Sequence, residues 1–390
     1  MNKDNIATIA ILDYGSQYTQ LIARRVRELN IYSEIFHHSI SIDVLLKKNI
    51  KAIILSGGPN SVYDKKSPKL NLKILDLNVP ILVICYGLQL LLNNTGGNIL
   101  KGEVGEYGNA SINQLDNNLL FDRVPKKLTV WMSHTDRVDN IGPNWNILAK
   151  SENEIISAIS HKTKNIYAVQ FHPEVTHTDY GSEIIANFLF KICNMTKNWT
   201  AENFINDTIQ HIRDTVGENE IICGLSGGVD SSVLATLLHK AIGNKSKAIF
   251  INHGLLRKNE TEEVLVTLQK DLGINIKLLD ESNIFLKKLF KVTDPEEKRK
   301  IIGEQFIRSF ESAIKDYEKV KFLAQGTLYP DVIESGGDSS GEAVTIKSHH
   351  NVGGLPKDMQ LELVEPLRNL FKDEVRKVGR KLGLSDLVIN

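Results

Sequence analysis

Short apolar runs of strand length, each followed by an amphipathic stretch of helix length, recur along this chain and restart once past its middle. No other feature limits the fold as much, because strand–helix–strand repetition packs into a parallel sheet flanked by helices. Residues 8–12, 52–55 and 81–84 read as strands, and 17–30 reads as a helix with Leu21, Ile22, Val26 and Leu29 on one face. The polar stretch 194–200 breaks the pattern, and 201–216 begins it again as an amphipathic helix. Strands are predicted at 221–225, 248–251, 276–279 and 321–324, with helices at 232–241 and 262–272. A length of 390 residues leaves room for two or three domains. The expected fold class is therefore α/β in two domains, 1–197 and 198–390, each a mainly parallel sheet flanked by helices.

Composition narrows the function classes. Lys and Arg number 47 against 47 Asp and Glu, so the chain lacks the basic excess of a dedicated nucleic-acid binder and any anion site must be local. The apolar stretch 79–92 is interrupted by Pro80, Gly87 and Gln89, and the run 6–12, too short for a bilayer span, lies between Asp4 and Asp13. No membrane partner and a cytoplasmic location are expected. Cys85, Cys193 and Cys223 are widely spaced without a C-x-x-C pair, which fits a reducing compartment and argues against structural zinc. Residues 331–359 are polar, rich in Gly and Ser and without periodicity, and of a length that suits a functional lid or a disordered stretch.

Strand 81–84 runs into Cys85-Tyr86-Gly87 and then a helical pattern. Cys85 thus sits at a sharp strand-to-helix turn, at a helix N-terminus whose unpaired N–H groups and dipole favour an anion. A lone cysteine after an apolar strand is more often a small core residue; a partner base changes that reading. Residues 167–171 read as a strand ending in His172-Pro173-Glu174, where proline stops the sheet and positions i and i+2 face one side if the chain stays extended. A histidine that takes the proton of a thiol, with a carboxylate that fixes its tautomer, supplies the base and orienter of a nucleophilic triad.

Three strings, Ser56-Gly57-Gly58-Pro59, Cys85-Tyr86-Gly87-Leu88-Gln89 and Gln170-Phe171-His172-Pro173-Glu174, together resemble the class I (triad) glutamine amidotransferases. The resemblance implies that Cys85 attacks the side-chain amide of glutamine, that His172 carries the proton and that Glu174 orients His172. It implies further that Gly57 and Gly58 bring the backbone up to the developing oxyanion, with the Tyr86 N–H as a second donor. Gln89 and the segment Ser133-His134-Thr135-Asp136 would meet the glutamine. Val83 and Thr135 stand where that family usually has glycine, each putting a branched Cβ at an expected tight turn.

Strand 221–225 is followed by Ser226-Gly227-Gly228-Val229-Asp230-Ser231-Ser232 and a helix. Two glycines permit close backbone approach, the hydroxyls add donors and the helix N-terminus favours an anion, so the loop suits phosphates. It lacks the Lys of a Walker A loop. A bland reading, a Gly-rich turn capping a helix, fits a shorter match better than this one. The string resembles the pyrophosphate loop of N-type ATP pyrophosphatases, of the adenine-nucleotide alpha-hydrolase type, which cleave ATP between the α and β phosphates.

Residues 294–303, 326–335 and 347–356 resemble the corresponding segments of the GMP synthase family. That resemblance implies a ligase using glutamine as nitrogen donor: XMP is adenylylated by MgATP with loss of pyrophosphate, and ammonia then displaces AMP to give GMP. Arg299 and Lys347 are cations able to hold the XMP phosphate, and Asp331 and Glu334 could bind Mg²⁺ or a base edge. Mg²⁺ is expected to be held mainly by the ATP phosphates. Asn252 stands where an aspartate is usual. The chain stops where a C-terminal dimerisation domain of the family would begin, so the family's homodimer is in doubt here. Two alternatives stay open: another enzyme on the same ATP loop, such as an NAD synthetase relative, and a truncated or degenerate homologue without coupled synthesis.

Overall fold

A computed structural model of the chain describes residues 6–102, 105–256, 262, 266–271, 273–314, 317, 319–335 and 361–389. It divides after Thr200 into two units, Asn2–Thr200 and Ala201–Asn390. The division lies beyond the expected 197/198 boundary because Asn198 is tied to the first unit. Its side chain accepts from the Tyr32 N–H and donates to the Ala7 carbonyl, while the Trp199 ring packs against Tyr32.

The strands of the first unit are β1 (Thr8–Asp13), β2 (Ser33–His37), β3 (Ile50–Leu55), β4 (Ile81–Ile84), β5 (Asn98–Leu100), β6 (Glu106–Gln114), β7 (Lys127–His134), β8 (Arg137–Asn140), β9 (Trp145–Ser151), β10 (Ile156–His161) and β11 (Ile166–Val169). Nine of them form one sheet in the order β2-β1-β3-β4-β11-β10-β9-β6-β7, and β5 pairs separately with β8. The first five of that order run parallel. Helices α1 (Thr19–Glu28), α2 (Ile42–Lys47), α3 (Tyr86–Asn94) and α4 (Gly181–Asn187) belong to this unit. β4, Ile-Leu-Val-Ile, is buried at every position, as a strand covered on both faces must be.

Beyond β11 the sheet continues antiparallel through β10, β9, β6 and β7, so it is mixed. The periodicity reading set out only the parallel part. β7 alternates buried and less buried residues with many polar members, the pattern of a half-covered strand. Helix α1 is shorter than the predicted 17–30: Asn30 takes φ 63°, a left-handed conformation that cannot continue a helix.

The second unit has a five-stranded sheet of β12 (Glu220–Leu225), β13 (Ser246–Asn252), β14 (Ile276–Asp280), β15 (Val320–Ala324) and β16 (Glu362–Val364), in the order β14-β13-β12-β15-β16, all parallel. Helix α5 (Ala201–Val216) precedes β12, and α6 (Val229–Ile242) follows it. α6 starts three residues before the predicted 232 because Gly228, extended at ψ 159°, serves as its N-cap. The predicted helix 262–272 is described mainly as a π-helical segment, Val266–Asp271. Of the stretch 331–359, only the part up to Ser335, the end of helix Tyr329–Ser335, lies inside the described residues. The sequence order reverses direction at β12, between β13 and β15, and open parallel sheets form their ligand crevice at the carboxyl ends of strands at such a point.

Candidate functional site

The register of two neighbouring parallel strands builds the first site. Val169 of β11 lies opposite Ile84 of β4, so the chain segments leaving both carboxyl ends emerge side by side. The Cys85 N–H donates to the Val169 carbonyl at 2.8 Å, which pins the turn. Cys85 itself takes φ 51° and ψ −110°, the left-handed backbone that a non-glycine residue adopts only under constraint. Helix α3 starts at the next residue, and its first N–H groups, that of Tyr86 included, have no intrahelical acceptor.

Around the sulfur stand His172, Ser133 and Gln170. The Ser133 carbonyl is 3.5 Å from Sγ, and the Gln170 amide donates to Sγ at 3.7 Å. His172 Nδ1 is 2.8 Å from Glu174 Oε1, and both residues are buried. Burial works against a charged imidazole, but the Glu174 carboxylate and the hydrogen-bonded Cys85 sulfur outweigh it and raise the His172 pKa. The contact is made in a turn: β11 ends at Val169, so the extended geometry assumed for positions i and i+2 has already ceased. Burial alone pushes the thiols of the partly buried Cys193 and the buried Cys223 up, the pattern of unreactive cysteines.

Two glycines form the opposite wall. A Cβ on Gly57 would sit 3.1 Å from the His172 ring, and one on Gly58 would sit 2.7 Å from the Tyr14 carbonyl. Backbone alone fits there. A cleft of about 660 Å³ opens onto Cys85 and His172 and is bounded by Gly58, Tyr86, Gln89 and the segment Ser133 to Asp136. The Gln89 amide donates to the Asp136 carbonyl at 2.8 Å, and the buried Asp136 carboxylate accepts from Ser61 Oγ at 2.5 Å and from the Gly102 N–H at 3.3 Å.

Neither departure from the amidotransferase pattern falls on a strained turn. Val83 lies inside β4, fully buried, where its Cγ1 fills the space that a Cβ on Gly87 would need. Thr135 is exposed, is not among the positive-φ residues and meets the Tyr107 hydroxyl through its own. The expectation of a tight turn is corrected at Val83, which the strand runs past; Thr135 does lie in the turn after β7, but its backbone takes no positive φ.

The second site lies in the β12–α6 turn. Gly227 adopts φ 79°; Ser231 Oγ donates to the Gly228 carbonyl at 3.0 Å and lies 3.1 Å from Ser226 Oγ, and Ser232 Oγ also donates to Gly228 O. Gly326, just past β15, packs against Asp230, so the ends of β12 and β15 converge at the switch point. Asp230 Oδ2 pairs with Lys372 Nζ at 2.6 Å, while its buried Oδ1 has no hydrogen-bond partner among the described residues.

The remaining candidates are placed less informatively. Arg299 is exposed on helix Pro295–Ile314 and, among the described residues, pairs with Glu296. Lys347 and the Glu334 side chain lie outside the described residues. Asp331 caps its helix by accepting the Leu328 N–H. Asn252 ends β13, donates to Asp280 Oδ1 at 3.2 Å and accepts the Gly254 N–H.

Sequence reasoning missed several contributors. Arg25 of α1 donates to the Glu174 carbonyl at 2.9 Å, and Thr178 donates to the His172 carbonyl at 2.7 Å while accepting the Trp131 N–H. Lys372 and Glu106, discussed below, also went unnoticed. No local string marks any of them.

These geometries define a class: a thiol-triad amidotransferase unit followed by a phosphate-loop unit of parallel α/β type. Family models agree, with the class-I glutamine amidotransferase family matching residues 10–192 and the NAD synthase family matching 200–305. Over nearly the full chain, the GMP synthase (glutamine-hydrolyzing) of Lactobacillus johnsonii is 53% identical across 99% of this chain and 75% of its own length. That of Brachyspira hyodysenteriae is 51% identical over 99% and 75%, and that of Oceanobacillus iheyensis 50% identical over the same shares. The chain belongs to the GMP synthase (glutamine-hydrolyzing) family.

Proposed function

We propose that the chain hydrolyses glutamine at Cys85 and delivers the nitrogen to XMP, cleaving ATP to AMP and pyrophosphate and forming GMP. The observation that carries the first half is the buried His172–Glu174 pair beside Cys85 at a shared strand edge. The Cys85 sulfur attacks the amide carbon, and the negative charge that develops on oxygen is met by backbone N–H groups of the 57–58 segment and of Tyr86. His172 gives its proton to the departing ammonia, leaving a thioester that water attacks with His172 as base. Asp136, a buried carboxylate on the cleft wall, suits the α-ammonium of glutamine.

In the second unit the xanthine oxygen of XMP attacks the α phosphorus of ATP; pyrophosphate leaves, and ammonia displaces AMP from the adenylyl-XMP. The donors of residues 226–232 and the Lys372 ammonium suit the charge on the departing pyrophosphate. Among the described residues no group of three His, Cys, Asp or Glu gathers to hold a metal. The unpartnered Asp230 Oδ1 fits a Mg²⁺ carried in mainly by phosphates and water. Asp230 would hold it, and the ion would neutralise phosphate charge. Full-length relatives named for GMP synthesis favour XMP over the acceptor of an NAD synthase as the substrate of this unit. Among the described residues no helix is long and apolar enough to cross a membrane, and we assign the activity to the cytoplasm on the nature of its substrates.

The test is glutamate release by the purified chain and its Cys85→Ala variant, with pyrophosphate and GMP followed by chromatography with and without XMP. Glutaminase that Cys85→Ala abolishes, and XMP-dependent pyrophosphate release with GMP formed, are expected. Glutamate or pyrophosphate without GMP supports the degenerate-homologue alternative.

A further inference from the structure

The turn that faces the Cys85 sulfur is gripped from behind by a single short segment. A Cβ on Gly102 would overlap the Thr135 carbonyl, and one on Gly105 would sit 2.2 Å from the His134 carbonyl, so both glycines are seated directly on the backbone of residues 134–135. The Gly102 N–H donates to Asp136 Oδ1, and the Tyr107 hydroxyl meets that of Thr135. Between them, Glu106 is the register partner of His134 across the β6–β7 pair.

His134 is the link inward. Nδ1 is hydrogen-bonded to the Asp136 carbonyl at 2.9 Å, and Nε2 faces Glu106 Oε2 at 3.4 Å, a contact of ion-pair distance in which neither atom has a hydrogen bond among the described residues. A carbonyl only accepts, so the Asp136 carbonyl calls for a hydrogen on Nδ1. Glu106 is buried, and its other oxygen accepts from Ser151 Oγ and Asn153 Nδ2, each at 2.9 Å, so the carboxylate is fixed from the end of β9 and the loop that follows it. His134 pairing, with those two donors, holds the Glu106 carboxyl below its ordinary value although burial opposes this.

We propose that Glu106 is a positioning residue for glutamine: its carboxylate, facing His134 Nε2 across the β6–β7 pair, holds in place the ring whose Nδ1 bonds the Asp136 carbonyl, and so fixes the 133–136 turn that carries the Ser133 carbonyl and the Asp136 carboxylate into the cleft. Glu106 itself does not line the cleft. Its loss therefore acts on glutamine binding more than on the reacting sulfur. The inference rests on the glutamine reading of that cleft.

Steady-state glutaminase kinetics on the full chain test it, beside hydrogen exchange of the 133–136 amides, which reads the turn without turnover. In Glu106→Ala the KM for glutamine rises at least tenfold with kcat within threefold of wild type, and the amides exchange at least tenfold faster. Glu106→Gln, whose amide can donate to a neutral Nε2 and leave Nδ1–H in place, recovers most of both. Should Glu106→Ala not accumulate as folded protein, Glu106→Asp, which keeps the charge but falls short of Nε2, carries the same expectation. Unchanged KM and unchanged exchange in either variant, or a fall in kcat equal to the rise in KM, overturns the proposal. Absence of glutaminase in the wild-type chain refutes the glutamine reading instead, and the exchange measurement still decides whether Glu106 holds the turn.

Discussion

Gly58→Ala isolates the wall opposite the nucleophile. The added Cβ would lie 2.7 Å from the Tyr14 carbonyl and 3.0 Å from Tyr86 Cδ1, which leaves the first contact roughly 0.6 Å short of an ordinary carbon–oxygen approach of about 3.3 Å. Tyr14 cannot simply withdraw, since its N–H is held by Ser56 Oγ at 3.0 Å and its buried ring lies against Tyr86. The 57–58 backbone must therefore move away from the cleft. Losing one oxyanion donor costs about 100- to 1,000-fold in kcat. Overpacking by one methyl costs about 1–3 kcal/mol, a fall of roughly 2–12 °C in Tm at about 2–4 °C per kcal/mol for a unit of this size. Glutamate release at saturating glutamine gives kcat, and a thermal melt followed by circular dichroism gives Tm. ATP cleavage in the other unit, assayed with ammonium as nitrogen donor, should stay at the wild-type rate. A kcat within threefold of wild type, alongside the expected fall in Tm, would show that the segment packs the wall without holding the oxyanion.

Two further outcomes follow from the same geometry. The His172 pKa is raised in the folded chain above its unfolded value of about 6.5, so its contribution to stability is complete below that pH and is lost as pH rises through the raised value; urea melts at a series of pH values should show this decline, and Glu174→Gln, which removes the carboxylate charge that raises it most, should shrink it while lowering glutaminase kcat at least 100-fold, on the order seen when a triad carboxylate is neutralised. Lys372→Met leaves Asp230 without its cation and should lower kcat/KM for ATP at least tenfold with glutaminase unchanged, measured by pyrophosphate release; equal values for variant and wild type would remove Lys372 from the site.

What could be read from the sequence and what could not divide along one physical line. The triad cysteine, the His172 turn and the 226–232 loop each lie in a contiguous string at the end of an apolar strand, so local pattern and chemistry coincide there. Arg25 reaches a carbonyl 149 positions away, and Lys372 a carboxylate 142 positions away. Contacts of that kind depend on how helices dock on a sheet, and no periodicity encodes them. Val83 and Thr135 illustrate the converse: each looked like a crowded turn in sequence, yet the strand runs past one and the turn at the other needs no positive φ. The antiparallel half of the first sheet escaped for a related reason, since strands such as β7 carry polar residues on alternate positions and resemble loops when read singly.

Asn252 shows how a departure from a family pattern can be resolved by its neighbour. Its amide donates to Asp280 Oδ1 at 3.2 Å, a contact that an aspartate at 252 would turn into two carboxylates facing each other. At that separation like charges repel by about 1 kcal/mol even in bulk water, and by more where solvent is partly excluded. β12 and β13 are adjacent, so their carboxyl ends, bearing the 226–232 loop and Asn252, flank the same crevice of the sheet. On one side Lys372 neutralises Asp230, and on the other the amide of Asn252 satisfies Asp280 without adding charge. The crevice therefore carries hydroxyl and N–H donors beside a paired Asp230 and an Asp280 that meets an amide rather than a second carboxylate, an arrangement that suits a polyphosphate.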